Sequence, residues 1–209
     1  MRRDAPREKL SQGVARVRGV LLGLDLDGVL CDIGPGVAGR IAHRFGVSSH
    51  PDTWRTYDLR NLRLGVPQAR FCAFLDEIFA DPALYLESPV AEGAARALDH
   101  LVAAGWELVG ITARSPHLAD ATRNWMAVHG LPLGSVHHCA VGTKAAVAAS
   151  LGVAASIEDN PVEAESLADV CQSWLLDRPY NRECHPSRSR RLWSWDDAVG
   201  RLCQLRLFA

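Results

Sequence analysis

The stretch "LLGLDLDGVLCD", residues 21–32, carries the clearest indication of the fold in this sequence. Its first four residues are apolar, as in a strand buried on both faces of a parallel sheet. Asp25 and Asp27 follow two residues apart, and Gly28 indicates that the chain turns there. Two carboxylates this close repel each other unless a cation or a proton lies between them. The stretch therefore predicts a divalent metal ion at the end of this strand. A loop-capping aspartate beside a solvated one is the alternative.

Composition suits one globular domain with a small inserted module, because the chain has 209 residues, 48% of them hydrophobic, and a net charge of -1. This charge does not indicate a nucleic-acid polymer as partner. The basic residues 1–18 are followed by no apolar run of signal-peptide type, and no stretch reaches membrane-spanning length. We therefore predict a flexible lead-in over residues 1–18, no membrane partner and a cytoplasmic location. The sequence leaves a homodimer open.

The cysteines and histidines do not form a convincing metal or disulfide pattern. Six cysteines are scattered without a C-x-x-C pair, which favours reduced structural thiols over a disulfide framework or a zinc site. His137, His138 and Cys139 are adjacent, but neighbouring strand residues point to opposite faces, so we expect no joint site there.

Strand and helix patterns alternate along most of the chain. Strand-like runs are "VLLGLDLD" (20–27), "WELVGITAR" (106–114), "SVHHCAV" (135–141), "AASIED" (154–159) and "QSWLLD" (172–177). Helix-like runs between them are "PVAEGAARALDHLVAAG" (89–105), "SPHLADATRNWMAVHG" (115–130), "TKAAVAASLG" (143–152) and "PVEAESLAD" (161–169). This alternation predicts an α/β fold with an open parallel sheet and right-handed crossovers.

One segment, residues 32–88, interrupts this alternation. It offers helical pieces, "PGVAGRIAHRFG" and "PQARFCAFLDEIFAD", joined by the polar and aromatic "SSHPDTWRTYDLRNLRLG". We predict a core domain over residues 19–31 and 89–209 and a helical cap over residues 32–88. Because the insertion opens right after the first strand, it would lie above the carboxyl edge of the sheet, where open α/β folds bind ligands.

The later strands also end in side chains that suit a phosphate site. Thr112 ends one strand, Lys144 precedes a helix, and Glu158 and Asp159 end another strand. A hydroxyl can hydrogen-bond a phosphoryl oxygen, an ammonium group offsets negative charge, and carboxylates can complete an oxygen-rich Mg²⁺ site. Taken singly, Thr112 could be a strand-end cap and Lys144 a solvated lysine, while the two acids could belong to a turn. The occurrence of all four residues in this order favours a common site.

The ordered set "DLDGV", "ITAR", Lys144 and "IEDN" resembles the haloacid dehalogenase superfamily of aspartate-nucleophile phosphohydrolases, over roughly residues 20–195. Within it the chain resembles the 5'(3')-deoxyribonucleotidase family through "DLDGVLCD", "ITAR", "SIEDNP" and "DRPYNR" followed by "WSWDDA". The resemblance implies a Rossmann-like core, a parallel sheet flanked by helices, with a small helical cap inserted after the first strand.

The resemblance also implies a mechanism. Asp25 would attack phosphorus and form an aspartyl-phosphate, while Asp27 protonates the leaving alcohol and later deprotonates water. Mg²⁺ would be held by Asp25, by the backbone carbonyl of Asp27 and by Asp159. Glu158 would be a further or water-mediated metal ligand, and the sequence leaves open which of the acidic pair contacts the metal directly.

The same resemblance suggests how substrate is bound. Thr112 and Lys144 would bind the phosphoryl group, together with backbone N–H groups near Gly28 and at Ala113. In the cap, Trp54 and Tyr57 would either stack on a nucleobase or pack internally. Arg114 would contact phosphate or sugar, or pair with a cap carboxylate. Phe71, Phe74 and Phe79 lie at helical spacings and are predicted to form the core of the cap.

In the resembled family the loop after the last sheet strand lies near the rim of the active site, so the resemblance implies that Tyr180 and Asn181 contact substrate. The run with Arg188, Arg190 and Arg191 is interpreted as a surface loop before a final helix, with Trp193 and Trp195 packing that helix against the domain.

The function hypothesis is a Mg²⁺-dependent phosphomonoesterase acting on a small phosphorylated substrate, with nucleoside monophosphates as the preferred class. One alternative is the same chemistry on a sugar phosphate or a biosynthetic intermediate. Another is a noncatalytic protein that binds a phosphorylated ligand, which would not need both Asp25 and Asp27.

Overall fold

A computed structural model describes residues 19–207 and shows one six-stranded sheet in that range. Its strands are β1 (Val20–Leu24), β2 (Trp106–Thr112), β3 (Ser135–His138), β4 (Ala155–Glu158), β5 (Gln172–Leu176) and β6 (Arg190–Leu192). The spatial order is β3-β2-β1-β4-β5-β6, and every neighbouring pair is parallel. The predicted α/β fold with a parallel sheet is thus confirmed.

Helices cover both faces of this sheet. They are α1 (Gly34–Phe45), α2 (Gln68–Ala80), α3 (Pro82–Leu86), α4 (Ala94–Ala103), α5 (Ala119–Val128), α6 (Lys144–Leu151), α7 (Pro161–Leu167) and α8 (Trp195–Leu207). One apolar core lies between the sheet and α4, α5 and α8, and a smaller one lies between the other face and α6 and α7. No α-helix of residues 19–207 has the length and apolar content needed to cross a membrane.

The position of β1 in the sheet explains why distant residues meet. β1 pairs with β2 on one side and with β4 on the other, and Leu24 lies opposite both Gly110 and Ile157. Since parallel strands end at the same edge, the residues that follow Leu24, Ile111 and Ile157 come together there.

The helices α1–α3 and their connections, residues 34–86, form a helical cap between β1 and α4, and the apolar core of this cap also includes Leu118. As predicted, Phe71 and Phe74 are buried in this core, and Phe79 packs against it while half-buried. The predicted division at residues 32–88 stays a prediction, and the predicted lead-in, residues 1–18, lies outside the described residues.

Two expectations about the C-terminal region need correction. The basic run is not only a surface loop, because Arg190–Leu192 pairs with β5 as the edge strand β6. Trp195 is buried and its indole N–H donates to the Val29 carbonyl oxygen, but Trp193 is 66% exposed and does not anchor the helix. The strand was missed because two of its three residues are charged and only Leu192 is buried.

A carboxylate on α7 fastens the loop that leads into β6. The Glu165 carboxylate accepts hydrogen bonds from the backbone N–H groups of Ser187, Arg188 and Ser189 and from both serine hydroxyls. This loop places Arg191, whose guanidinium donates to the side chain and carbonyl of Asn181. The clamp therefore supports the loop next to the candidate site.

We expect Glu165→Gln to lower the free energy of unfolding by about 1–2 kcal/mol at neutral pH, because an amide replaces the charged acceptor of these hydrogen bonds. The effect is limited to this size because the Glu165 side chain is partly exposed. Burial opposes ionisation of Glu165, but its hydrogen bonds outweigh this and lower its pKa from 4.5 to about 2. This stabilisation is present above pH 4.5 and is lost as the pH falls toward 2. Urea unfolding of both proteins across this range should show the difference shrinking with acidity. A difference independent of pH would contradict the clamp.

Candidate active site

Asp25 lies at the centre of the carboxyl edge of the sheet. Its backbone N–H donates to the Ile157 carbonyl oxygen at 3.0 Å, which holds it at the end of β1 against β4. The Lys144 ammonium lies 2.8 Å from Asp25 Oδ1 and 2.7 Å from Glu158 Oε2. All three side chains are buried, so this small network is shielded from water.

The site carries more negative charge than Lys144 can balance. Burial, together with the neighbouring Glu158, raises the pKa of Asp25 to about 8. Burial and the charge of Asp25 raise the pKa of Asp159 to about 7, and burial raises the pKa of Glu158 to about 7 despite the nearby Lys144. Carboxylate oxygens of Asp25, Glu158 and Asp159 lie within 4.8 Å of one another. This cluster can bind a cation, as the sequence predicted for the end of β1.

The two acids that end β4 differ in what their oxygens contact. Glu158 Oε2 accepts from Lys144, and Oε1 accepts from the backbone N–H groups of Asp159 and Asn160. Asp159 Oδ2 accepts from the Tyr180 hydroxyl, whereas its buried Oδ1 has no hydrogen-bond partner. The open oxygen of the acidic pair therefore belongs to Asp159.

Asp27 and Arg114 form a bidentate ion pair beside this cluster. Arg114 Nη2 lies 2.6 Å from Asp27 Oδ1, and Nε lies 3.0 Å from Oδ2. The Asp27 side chain is one-quarter exposed, whereas that of Arg114 is buried. Arg114 was predicted to contact phosphate or sugar, or to pair with a carboxylate of the cap. In the structure its guanidinium pairs with Asp27 instead.

The turns that follow β1 and β2 lie at the base of the site. Thr112 is buried, and its hydroxyl accepts from the Arg114 backbone N–H at 3.2 Å. Gly28 has a φ of +78°, and a Cβ there would collide with Asp159 Oδ2 and the Tyr180 hydroxyl. Its own N–H donates to the Cys31 carbonyl oxygen at 2.8 Å. This geometry does not favour the predicted role of Gly28 as a phosphate donor; its contribution is the close approach of the two loops.

A cleft of about 1520 Å³ opens between the cap and the core. Of the residues predicted for the site, Glu158 and Asn181 do not line this cleft; those that do are Asp25, Asp27, Gly28, Trp54, Tyr57, Thr112, Ala113, Arg114, Lys144, Asp159 and Tyr180. The volume exceeds the 300–1,000 Å³ typical of small-ligand pockets, so a small molecule would leave part of the cleft to solvent.

The two cap aromatics differ in how they meet the cleft. Trp54 is 4% exposed, packs in the core of the cap and donates from its indole N–H to Ser49 Oγ at 2.8 Å. Tyr57 is 44% exposed, and its ring lies edge-on to Tyr180, with 5.9 Å between centroids. Of the predicted pair, Tyr57 is the one with an exposed ring at the cleft, while Trp54 is buried in the core of the cap.

The structure changes the interpretation of three residues near the site. One of them had no predicted role, and the other two were predicted to lie at the rim. Glu163 on α7 lines the cleft while buried, and its Oε2 has no hydrogen-bond partner. The sequence feature that could have identified Glu163 as a site residue is its position four residues after Asp159. Tyr180 contacts Asp159, which places it at the acidic cluster. Asn181 does not reach the cleft, because it is fully buried and its amide donates to the carbonyl oxygens of Asp159 and Leu176.

The histidines and cysteines form no second site. In residues 19–207 the acidic cluster is the one group of metal-ligating side chains close enough to hold an ion. His138 Nδ1 contacts the Arg114 carbonyl oxygen, and all six cysteines, which lie in the described range, are free thiols.

Comparison with known proteins agrees with this geometry. The family model "5' nucleotidase, deoxy (Pyrimidine), cytosolic type C protein" matches residues 18–208. A curated protein of Halalkalibacterium halodurans, which carries a provisional nucleotidase name, is 25% identical over 182 residues, covering 84% of this chain and 89% of that protein.

Solved structures show the same fold at low sequence identity. A predicted phosphatase from Clostridium acetobutylicum has a TM-score of 0.61 at 14% identity and covers 89% of this chain and 99% of its own. A HAD family hydrolase from Deinococcus radiodurans, solved with bound phosphate and sodium, has a TM-score of 0.60 at 20% identity, over 89% of this chain and 95% of its own. The chain therefore belongs to the 5' nucleotidase, deoxy (pyrimidine), cytosolic type C family of the haloacid dehalogenase superfamily, a family of phosphatases.

Proposed function

We propose that this protein is a Mg²⁺-dependent phosphomonoesterase that hydrolyses nucleoside monophosphates through an aspartyl-phosphate on Asp25. The observation that carries the proposal is the buried cluster in which Lys144 contacts Asp25 and Asp159 keeps an unpartnered oxygen. A nucleophile, a cationic phosphate ligand and a metal ligand thus lie together at one sheet edge, facing the cleft.

The residues present fit a hard divalent cation. Mg²⁺ prefers carboxylate and carbonyl oxygens, and Asp159 Oδ1 is a buried oxygen that lacks a partner. Asp25, Asp159 and the backbone carbonyl of Asp27 would hold it, while Glu158 stays engaged with Lys144. When bound, Mg²⁺ supplies positive charge that offsets the negative charge of the phosphoryl oxygens.

The chain's own groups would carry out the chemistry in two steps. Asp25 attacks phosphorus, the ester P–O bond breaks, and Asp27 gives its proton to the departing oxygen. Water then attacks the phosphorus of the aspartyl-phosphate and Asp27 takes a proton from that water. The bond between phosphorus and the Asp25 oxygen breaks, which releases phosphate and regenerates the Asp25 carboxylate. Lys144 and Thr112 bind the phosphoryl group in both steps, and the cap limits access of bulk water.

Family membership and the cleft support a nucleotide as the substrate. The matching family is described as a deoxynucleotidase family acting on pyrimidine nucleotides. Tyr57 offers a partly exposed ring on the cap side of the cleft, where the leaving nucleoside would lie. Stacking of a base on an aromatic ring contributes about 1–3 kcal/mol and tolerates different bases.

Phosphate release with Mg²⁺ across ribo- and deoxyribonucleoside monophosphates, sugar phosphates and p-nitrophenyl phosphate tests the proposal. We expect the highest kcat/KM for a group of nucleoside monophosphates. A preference for sugar phosphates would keep the phosphatase chemistry and replace the substrate class. No release from any ester, with phosphate binding intact, would favour a noncatalytic phospholigand-binding protein.

We expect Tyr57→Leu to raise KM for nucleoside monophosphates by about tenfold, because a stacking surface is lost. KM for p-nitrophenyl phosphate should change less, since its ring is smaller than a nucleoside. Tyr57→Phe keeps the ring and serves as the matched control, and steady-state kinetics on both substrates measures the contrast. Equal changes for both esters would refute base stacking by Tyr57.

A further inference from the structure

The guanidinium group of Arg114 is occupied by hydrogen bonds to other side chains of the protein. Its Nε and Nη2 contact both oxygens of Asp27, and its Nη1 donates to Thr122 Oγ1 at 3.1 Å. The side chain is 1% exposed. Each of its three nitrogen atoms thus has a protein partner, and binding a phosphate would require breaking one of these contacts.

The pair constrains how Asp27 can turn. A bidentate contact with a planar guanidinium fixes the plane of a carboxyl group as well as its position. Asp27 Oδ1 receives the 2.6 Å contact from Nη2, whereas Oδ2 receives only the 3.0 Å contact from Nε. Because the Asp27 side chain is one-quarter exposed and lines the cleft, a protonated Oδ2 would be able to donate its hydrogen to a leaving oxygen there.

The same arginine is connected to the cap. Its guanidinium carbon lies 4.3 Å from the centroid of the Tyr85 ring. Tyr85 belongs to α3, and its hydroxyl donates to the Phe79 carbonyl oxygen near the end of α2 at 2.9 Å. A continuous set of contacts therefore runs from the cap helix α2 through Tyr85 and Arg114 to Asp27.

We propose that Arg114 is a positioning residue that orients Asp27 for proton transfer to the leaving group, and that Tyr85 ties this orientation to the cap. The inference rests on the proposed phosphomonoesterase function. In the first step the ester oxygen keeps the electron pair of the breaking P–O bond and takes the proton from Asp27 Oδ2. The resulting carboxylate is then paired with Arg114. In the second step Asp27 takes a proton from water and returns to its starting state.

Leaving groups of different basicity separate this role from simple packing. A nucleoside alkoxide needs a proton as it departs, whereas p-nitrophenolate is stable enough to depart without one. Positioned general acids contribute about 10²–10⁴-fold in rate. Loss of positioning should therefore slow phosphoryl transfer from the nucleotide to Asp25 and leave transfer from the aryl ester nearly unaffected, whereas the later hydrolysis of the aspartyl-phosphate is common to both esters.

The test is steady-state kinetics of Arg114→Lys on a nucleoside monophosphate and on p-nitrophenyl phosphate. We expect kcat/KM for the nucleotide to fall by at least about 30-fold and kcat/KM for the aryl ester to stay within about threefold, because kcat/KM reports the first step and not the hydrolysis of the aspartyl-phosphate. Asp27→Asn should show the same contrast between esters. Combining the two substitutions should lower kcat/KM for the nucleotide little more than Asp27→Asn alone, because Arg114 acts through Asp27.

Two further variants keep the test decisive. Tyr85→Phe retains the ring over the guanidinium but loses the hydroxyl contact to Phe79, and it should show a smaller loss that again falls on the nucleotide. Arg123→Lys alters an exposed arginine paired with Asp120 on α5 and should match the wild type on both esters. If Arg114→Lys does not fold, as judged by circular dichroism, Tyr85→Phe carries the comparison.

Equal losses on both esters in Arg114→Lys and Tyr85→Phe would overturn the inference and leave these residues a packing role. A raised KM for both esters with unchanged kcat would instead make Arg114 a phosphate ligand, which also overturns it. If the wild-type protein hydrolyses neither ester, the proposed function fails and the inference fails with it. The two failures are thus distinguishable from the wild-type rates alone.

Discussion

Asp25→Asn is expected to reduce phosphate release by at least about 10⁴-fold, the scale seen when a nucleophile is removed from an enzyme. An amide oxygen cannot form the aspartyl-phosphate, and no other carboxylate takes the same place at the end of β1. Glu158 is engaged with Lys144 and two backbone N–H groups. Asp159 is the proposed metal ligand.

The loss should come without loss of the fold. The pKa of Asp25 is raised by burial and by Glu158, so its ionised form is disfavoured in the folded protein. Lys144 keeps Glu158 as a partner when position 25 becomes neutral. Thermal unfolding should therefore occur at or above the wild-type temperature. Asp120→Asn, on the exposed face of α5, is the matched control and should retain full activity. Substantial turnover by Asp25→Asn would exclude Asp25 as nucleophile.

Magnesium should be required for turnover and should stabilise the protein more at pH 8 than at pH 5. Burial raises the pKa of Asp25 to about 8 and that of Asp159 to about 7 in the metal-free protein. Between about pH 4 and pH 8 the folded state therefore binds more protons than the unfolded state, and its stability falls as the pH rises. A cation offsets this at pH 8, whereas at pH 5 it competes with protons.

Thermal unfolding with and without Mg²⁺ measures this effect. At a Mg²⁺ concentration 100 times the dissociation constant the stabilisation is about 2.7 kcal/mol, or about 5–10 °C for a domain of this size. The shift at pH 5 should be clearly smaller. Chelation should abolish turnover, and added Mg²⁺ should restore it. Asp159→Asn should remove the pH-8 shift; a shift that persists in this variant, or that is equal at both pH values, would contradict the assignment of Asp159 as metal ligand.

Much of the candidate site was predictable because the ends of the strands in a parallel sheet meet at one edge. Asp25, Thr112, Lys144 and Asp159 each follow or flank a strand pattern, so their meeting required only the strand order. The acidic excess also followed from the sequence. The sequence left open which of Glu158 and Asp159 keeps a carboxylate oxygen without a hydrogen-bond partner. This depends on the three-dimensional contacts of Lys144 with Glu158 and of Tyr180 with Asp159.

Other features depended on contacts that no local pattern encodes. Asp27 and Arg114 are 87 residues apart, and their pairing follows from the turn after β1 facing the turn after β2. Trp54 lies in an irregular polar stretch, yet the cap folds around it and buries it. The strand β6 is three residues long and charged at two of them, so only its pairing with β5 defines it.

Formation of an aspartyl-phosphate on Asp25 can be tested by chemical trapping. Borohydride reduces an acyl phosphate to an alcohol and would convert a phosphorylated aspartate into homoserine. The reaction is best run on Asp27→Asn with p-nitrophenyl phosphate and Mg²⁺, because this variant forms the intermediate without the base that speeds its hydrolysis. Peptide mass spectrometry should find homoserine at position 25 only when substrate is present. Modification at another carboxylate, or an unmodified Asp25 during continued aryl ester turnover, would contradict the account.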